Sequence, residues 1–122
     1  MSDFTNNYAN IVLNGVFRDG YTEAPSAVYI AYAVSASTEC TDANYARQAA
    51  GLSAATGRTV VNASAISFPA IAATHDVVGC CAYTAATAGV QMTVWTAPIG
   101  GTVSLNPTQQ FRIPAGDYSL DL

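Results

Sequence analysis

The sequence contains very little charge. Its 122 residues include no lysine and only four arginines, and charged side chains make up 10% of the chain, whereas soluble domains average about 25%. Eight acidic residues bring the formal net charge to −4 at pH 7. Nucleic acids and acidic membrane surfaces are both bound through clusters of basic side chains. We therefore expect neither nucleic acid nor a membrane as a partner.

Long hydrophobic runs and a secretory signal are also missing. Hydrophobic residues make up 51% of the chain, yet no apolar run approaches the ~20 residues of a membrane-spanning helix. The first residues lack the basic and apolar stretches of a signal peptide, so we expect a protein made and kept without one. The three cysteines, Cys40, Cys80 and Cys81, are an odd number, and two are adjacent. Reduced thiols are therefore expected.

An exterior with so few charges must consist largely of small polar and apolar side chains. This composition is typical of a protein whose surface mostly faces other protein. The length suits a single domain. We therefore expect the chain to associate, with copies of itself or with other proteins.

One amphipathic helix is predicted near the N-terminus, from Asp3 to Phe17. Apolar residues recur there at helical spacing, with asparagines on the other side. Ser2 is the expected N-cap and Asp19-Gly20 the expected stop. Asparagine has a low helix propensity, so this helix would be unstable in isolation. Its stability must come from packing of the apolar stripe against other protein. We expect residues 1–20 to be an assembly element rather than part of the β core, with an interface stripe formed by Phe4, Tyr8, Ile11, Val12 and Val16.

The pattern of apolar residues in 24–122 predicts a mainly β domain. The segments Ala27–Val34 and Val77–Tyr83 are apolar on both faces, which is typical of central strands covered on both sides. The expected fold is an antiparallel β-sandwich of about seven or eight short strands. The polar stretch 35–44 is expected to be an exposed loop. Further strands are predicted at 45–52, 59–68, 90–97, 102–105, 111–113 and 118–122.

Few residues point to chemistry. His75 is the single histidine, and the adjacent Asp76 points to the opposite face of a strand, so a catalytic role competes with a histidine at a loop or subunit contact. The histidine and the three cysteines would only just supply a zinc site. The adjacent thiols face opposite ways, and the alternative is that they fill the core as small apolar groups.

Two aromatic and cationic features remain. On a strand, Tyr45 and Arg47 would share a face about 6.6 Å apart, so the guanidinium is expected to lie over the ring or to bond neighbouring carbonyls. A solvated arginine is the alternative. Trp95 and Tyr29 suggest a sugar-binding platform, against which stands a role for Trp95 in the core or a subunit seam.

The order of these features resembles the small tailed-phage virion proteins described as tail fibre-like, decoration or minor structural proteins. The likeness extends over essentially the whole chain, and its strongest motif is Tyr-Ala-Arg-Gln. The matching segments are the helix Asp3–Phe17, the strand Val28–Val34, Tyr45–Gln48, Ile66-Ser67-Phe68-Pro69, the His75 strand, the turn with Gly89 and the closing strand Tyr118–Leu122.

The resemblance implies a non-enzymatic structural protein of the virion, made in the cytoplasm of the host bacterium. We expect a capsid decoration or cement protein that binds the major capsid protein or other virion proteins as a homo-oligomer, with a trimer favoured. The alternative is a tail or fibre accessory subunit that binds a glycan or receptor. We expect no catalytic residue, cofactor or metal. Tyr29, Tyr45 and Arg47 join the helix stripe as candidate interface residues.

Overall fold

The computed structural model describes residues 4–18 and 27–121. This part of the chain contains one N-terminal helix and ten short strands, so the predicted mainly β class is confirmed. The helix α1 is Asn6–Phe17. The strands are β1 Tyr29–Ser35, β2 Thr38–Glu39, β3 Gln48–Ala49, β4 Thr59–Val61, β5 Ile66–Ser67, β6 His75–Val77, β7 Gly79–Tyr83, β8 Val103–Leu105, β9 Arg112–Ile113 and β10 Ser119–Asp121.

The largest sheet is built around β1. Strand β7 pairs antiparallel with β1 along five residues, from Tyr29 opposite Tyr83 to Ala33 opposite Gly79. The other edge of β1 is shared, because β3 pairs with its start and β2 with its end. Residues 30–33 of β1 and 79–82 of β7 are buried, as expected for strands covered on both faces.

The remaining strands form three two-stranded antiparallel ladders: β10 with β4, β5 with β9, and β6 with β8. The strand predicted at 59–68 is interrupted at Asn62, whose side chain is almost fully buried. Its amide nitrogen donates to the carbonyls of Ser64 and Pro114, and its Oδ1 accepts from Tyr118 N–H. A side chain that bonds the backbone in this way competes with the regular ladder, so the strand divides into β4 and β5.

Aromatic rings occupy the centre of the core. Tyr32 and Phe68 are both completely buried. The Tyr32 ring contacts Phe68 and Tyr45 edge-on, with centroids 4.9 Å apart in each case, and Phe111 at 5.5 Å. Such tilted pairs stabilise a core beyond the area that they bury.

The helix is attached to the β domain at its N-terminal end. Thr5, not Ser2, is the N-cap, and its hydroxyl accepts the Tyr8 N–H. The same hydroxyl donates to Gln91 O, while the Thr5 N–H donates to Met92 O. The helix ends at Phe17 as expected, whereas Ser2, the Asp19-Gly20 stop and the boundary between residues 20 and 24 lie outside the described residues. No helix within the described ranges is long and apolar enough to span a membrane.

Candidate functional site

Arg47 is the centre of the most extensively bonded polar cluster among the described residues. Its Nε and Nη2 donate to the two carboxylate oxygens of Glu39 at 2.8 and 2.9 Å. Its Nη1 donates to the carbonyls of Ala85 and Ala88 at 3.0 and 2.7 Å, and the guanidinium carbon lies 3.6 Å from the centre of the Tyr83 ring. Arginine suits this position because its planar fork binds a carboxylate bidentately and stacks on an aromatic face.

The two carbonyls that bind Arg47 belong to the turn after β7. Thr84 closes this turn, because its hydroxyl accepts the Val90 N–H and its own N–H donates to Val90 O. Gly89 has a φ of +76°, and a Cβ at this position would lie 2.9 Å from Thr84 Oγ1. Glycine is therefore required for the turn to present its carbonyls to the guanidinium.

Tyr45 completes the cluster by binding the same carboxylate oxygen of Glu39 as Arg47 Nε. Its hydroxyl donates to Glu39 Oε2 at 2.6 Å and accepts the Tyr32 N–H at 3.3 Å. Burial raises the pKa of Tyr45, and the bond to the Glu39 carboxylate raises it further. Burial alone would raise the pKa of Glu39, but the hydrogen bonds from Arg47 and Tyr45 outweigh it and hold that pKa below its ordinary value.

The structure corrects the predicted strand at 45–52. Only Gln48–Ala49 are in a strand, so Tyr45 and Arg47 lie in the segment that precedes β3. They meet through Glu39 rather than by direct stacking, and the ring under the guanidinium is Tyr83. The expected bonds from Arg47 to neighbouring carbonyls are present. Because four of the guanidinium's donor positions are satisfied within the chain, the cluster fastens β2 to the turn after β7 instead of presenting a charge to a ligand.

Asp42 and His75 form a second polar pair. Asp42 Oδ2 lies 3.0 Å from His75 Nε2. The carboxylate also accepts the backbone N–H groups of Asn44, Ala72 and Ala73, and its side chain is 2% exposed. The bond from Asn44, followed by the one from Ala72, lowers the pKa of Asp42 to about 2. A carboxylate held by this many backbone donors fixes the loop before β6.

The polar stretch 35–44 is exposed at most positions, as expected, but it is not only a loop, and three of its side chains turn inward. It contains β2 and supplies Glu39 and Asp42, the carboxylates of both clusters, and Cys40 within it is buried. Sequence reasoning missed these two acids as partners. The low number of charged residues could have indicated them. A buried arginine needs a carboxylate partner, and so uncharged a chain offers few carboxylates to choose from.

The cysteines act as apolar core residues. Cys40, Cys80 and Cys81 are free and buried, and burial raises the pKa of Cys80 and of Cys81 to about 12. Thiols with such pKa values react slowly at neutral pH because little thiolate is present. The described residues contain no group of three or more His, Cys, Asp or Glu side chains arranged to hold a metal ion.

The predicted helix stripe packs mainly against its own chain. Tyr8 is buried in the core, and Phe4, Ile11 and Val12 pack partly buried against it. Val16, the fifth member, is 69% exposed. A contact between subunits through this stripe stays a prediction, as does an interface role for Tyr29, Tyr45 and Arg47. Tyr29 lies in β1 between Ala49 and Tyr83.

A sugar platform shared by Trp95 and Tyr29 stays a prediction. Trp95 packs against Tyr83, with ring centroids 6.4 Å apart and an angle of 60°. A separate cleft of about 240 Å³ opens where the loop 96–99 meets β9 and the turn before β10. Its apolar floor includes Cys80, Phe111 and Ile113, and Arg112 and Asp117 line it as exposed side chains.

Comparison with known proteins identifies the family. The family model Podophage GP4 fiber I protein gp80 matches residues 3–121. The chain belongs to this family. A search of curated proteins gave no match. The predicted resemblance to tailed-phage virion structural proteins is confirmed. The fibre description fits the alternative that the sequence left open better than capsid decoration, which nothing in the comparison supports.

In this gp80-family chain the Tyr-Ala-Arg-Gln motif has a structural explanation. Tyr45 and Arg47 both bind Glu39, and Arg47 also binds the turn after β7. Gln48 opens β3, opposite Ile30 of β1, and its side-chain amide donates to Ala46 O. The motif therefore fixes the edge of the central sheet.

Proposed function

We propose that this chain is a non-enzymatic structural subunit of a tail fibre in a tailed bacteriophage. The observation that carries the proposal is the match of residues 3–121 to a phage fibre family. The family description names a fibre, and we propose the same location for this chain.

The polar groups of the chain support a structural role. The Arg47 cluster and the Asp42–His75 pair both engage their charged groups with backbone and side chains of the same chain. Both clusters bind together segments distant in sequence. The Asp42–His75 pair supports β6, which pairs only with β8, and an isolated two-stranded ladder is marginally stable in water. The Arg47 cluster supports β2 and β7 of the larger sheet.

Labelling of the parent particle tests the proposal. Fab fragments raised against the purified chain are added to virions and located by electron cryomicroscopy, with Fab fragments against the major capsid protein as the control. We expect the bound Fab density on the tail fibres. Density on the head would overturn the proposal and favour decoration, and absence of density from both would also overturn it.

A second candidate function is recognition of a host glycan in the cleft. Ligand sites combine an apolar floor with a few polar groups, and this cleft offers Arg112 and Asp117 beside Phe111 and Ile113. Its volume of about 240 Å³ suits a single sugar ring better than a larger ligand. A guanidinium and a carboxylate together supply donors and acceptors for sugar hydroxyls.

A glycan array tests this candidate with three proteins: the wild type, the double variant Arg112→Ala/Asp117→Ala, and Arg58→Ala as a control outside the cleft. We expect binding by the wild type and by Arg58→Ala and its loss in the double variant. Absence of wild-type binding, or equal binding by all three, would remove the cleft as a glycan site without affecting the fibre proposal.

A further inference from the structure

The cleft beside β9 is polar at its rim and apolar at its floor. Cys80, Phe111 and Ile113 at the floor are 4%, 5% and 7% exposed, whereas the side chains of Arg112 and Asp117 are exposed. Burial raises the pKa of Cys80 to about 12, so this thiol is uncharged at neutral pH. A bound molecule would therefore meet charged groups at one edge and an uncharged, apolar surface at the other.

Polar groups in the lining of the cleft are engaged within the chain. The Thr96 hydroxyl donates to the Val94 carbonyl at 3.3 Å. The Pro114 carbonyl accepts hydrogen bonds from the Asn62 side-chain amide and from the Asp117 N–H, which fills both of its acceptor positions. A hydroxyl group that a ligand brings to the floor would therefore lose its bonds to water without full replacement, at a cost in affinity.

This arrangement distinguishes between sugars by the group on carbon 6. An ordinary hexose carries a hydroxyl group there, across the ring from the hydroxyls on carbons 2 and 3. A 6-deoxyhexose carries a methyl group instead, and burial of a methyl group on an apolar surface favours binding. An N-acetylated sugar also has a methyl group, but it brings an amide N–H and a carbonyl that need partners of their own. The apolar floor therefore favours the 6-deoxyhexose.

We propose that the cleft binds a terminal 6-deoxyhexose of a glycan, with its methyl group packed on Phe111 and Ile113. Two neighbouring hydroxyls of the sugar then meet Arg112, whose guanidinium donates hydrogen bonds, and Asp117, whose carboxylate accepts them. The volume of about 240 Å³ suits one sugar ring, which is why a single terminal residue is the unit recognised. This inference rests on the glycan candidate above and names the class of sugar.

Pairs of methyl glycosides that differ only at carbon 6 test the inference on the purified protein. One pair is the α-L-rhamnoside and the α-L-mannoside, and the other is the α-L-fucoside and the α-L-galactoside. Titrations followed by nuclear magnetic resonance give a dissociation constant for each glycoside. We expect the deoxy member of at least one pair to bind about tenfold more tightly than its partner, because the partner buries an unbonded hydroxyl.

Two adjacent cysteines supply a matched pair of variants. Cys80→Ser places a hydroxyl at the floor, where it can bond the carbon 6 hydroxyl of the parent hexose, and should reduce the preference to less than about threefold. Cys81→Ser makes the same change at a fully buried residue that points to the opposite face of β7. It should keep the preference of about tenfold. Circular dichroism establishes whether each variant is folded.

The outcomes separate this inference from the glycan candidate. Equal binding within both pairs, an unchanged preference in folded Cys80→Ser or a lost preference in Cys81→Ser would overturn the inference. Binding of neither deoxy glycoside by a protein that binds other sugars on the glycan array would also overturn it. The glycan candidate survives each of these results, whereas a wild type that binds nothing on the array would overturn both. If Cys80→Ser does not fold, the comparison within the glycoside pairs decides alone.

Discussion

The guanidinium of Arg47 stacks on the Tyr83 ring at 3.6 Å while it binds both carboxylate oxygens of Glu39. The Arg47 side chain is only 9% exposed. One arginine thereby joins β2, β7 and the turn that follows β7. One of the four arginines of the chain therefore lies inside the fold. Its contribution to the free energy of unfolding can be measured by substitution.

Replacement of Arg47 should strongly destabilise the chain. We expect Arg47→Ala to lower the free energy of unfolding by about 3 kcal/mol, because it leaves Glu39 without its cationic partner and two carbonyls without the Arg47 donor. Arg47→Lys should recover less than half of this loss, since an ammonium cannot bind the carboxylate bidentately. Urea unfolding measures both. The exposed Arg112→Ala is the control and should change the value by less than about 0.5 kcal/mol; an equal loss there would contradict the prediction.

Removal of the Tyr32 hydroxyl and removal of the Tyr45 hydroxyl should have different effects on the free energy of unfolding. The Tyr32 hydroxyl is buried without a hydrogen-bond partner among the described residues; the neighbouring Cys40 thiol is at best a weak acceptor. Tyr32→Phe should leave stability unchanged or raise it by up to about 1 kcal/mol. Tyr45→Phe loses the bond to Glu39 and should cost about 1.5 to 3 kcal/mol. The same urea titration compares them, and a greater loss in Tyr32→Phe would show that this hydroxyl is bonded.

The hydrogen bonds to Asp42 make the free energy of unfolding depend on pH in the acidic range. Its pKa is about 2 in the folded chain against an ordinary value of 3.8. The stabilisation is complete above the ordinary value and is lost as the pH falls through about 2. Asp42→Asn has no such titration, so the difference in unfolding free energy from the wild type should shrink below about pH 4.

Urea unfolding at a series of pH values measures this difference. The control is Asp117→Asn, which removes an exposed carboxyl. A difference between wild type and Asp42→Asn that is constant down to about pH 2 would contradict the assignment of the shift to Asp42.

The inner stripe of α1 should contribute to the stability of the domain. Tyr8→Ala removes a ring buried in the core and should lower the free energy of unfolding by about 3 kcal/mol. Leu13 is 54% exposed, so Leu13→Ala should cost less than about 0.5 kcal/mol. Thermal unfolding followed by circular dichroism distinguishes them. Equal effects would mean that the helix does not pack on the β domain through Tyr8.

Much of the architecture follows from local sequence pattern. The period of the apolar residues predicted the helix and its end at Phe17, and the apolar runs around Ile30 and Cys80 predicted the two central strands. These features are local, because hydrophobic spacing along a segment determines which face it buries. The family likeness was also evident from the order of these segments, which the match over residues 3–121 confirmed.

Tertiary structure decided which polar groups meet. Asp42 and His75 are 33 residues apart, and Arg47 and Ala88 are 41, so no spacing rule joins them. Their pairing depends on how the loops between short strands return to the central sheet. Likewise, the sequence predicted one stripe on α1, but only the packing of Tyr8 against the core showed which side remains uncovered. Burial is a property of the whole fold, since it depends on residues distant in the chain.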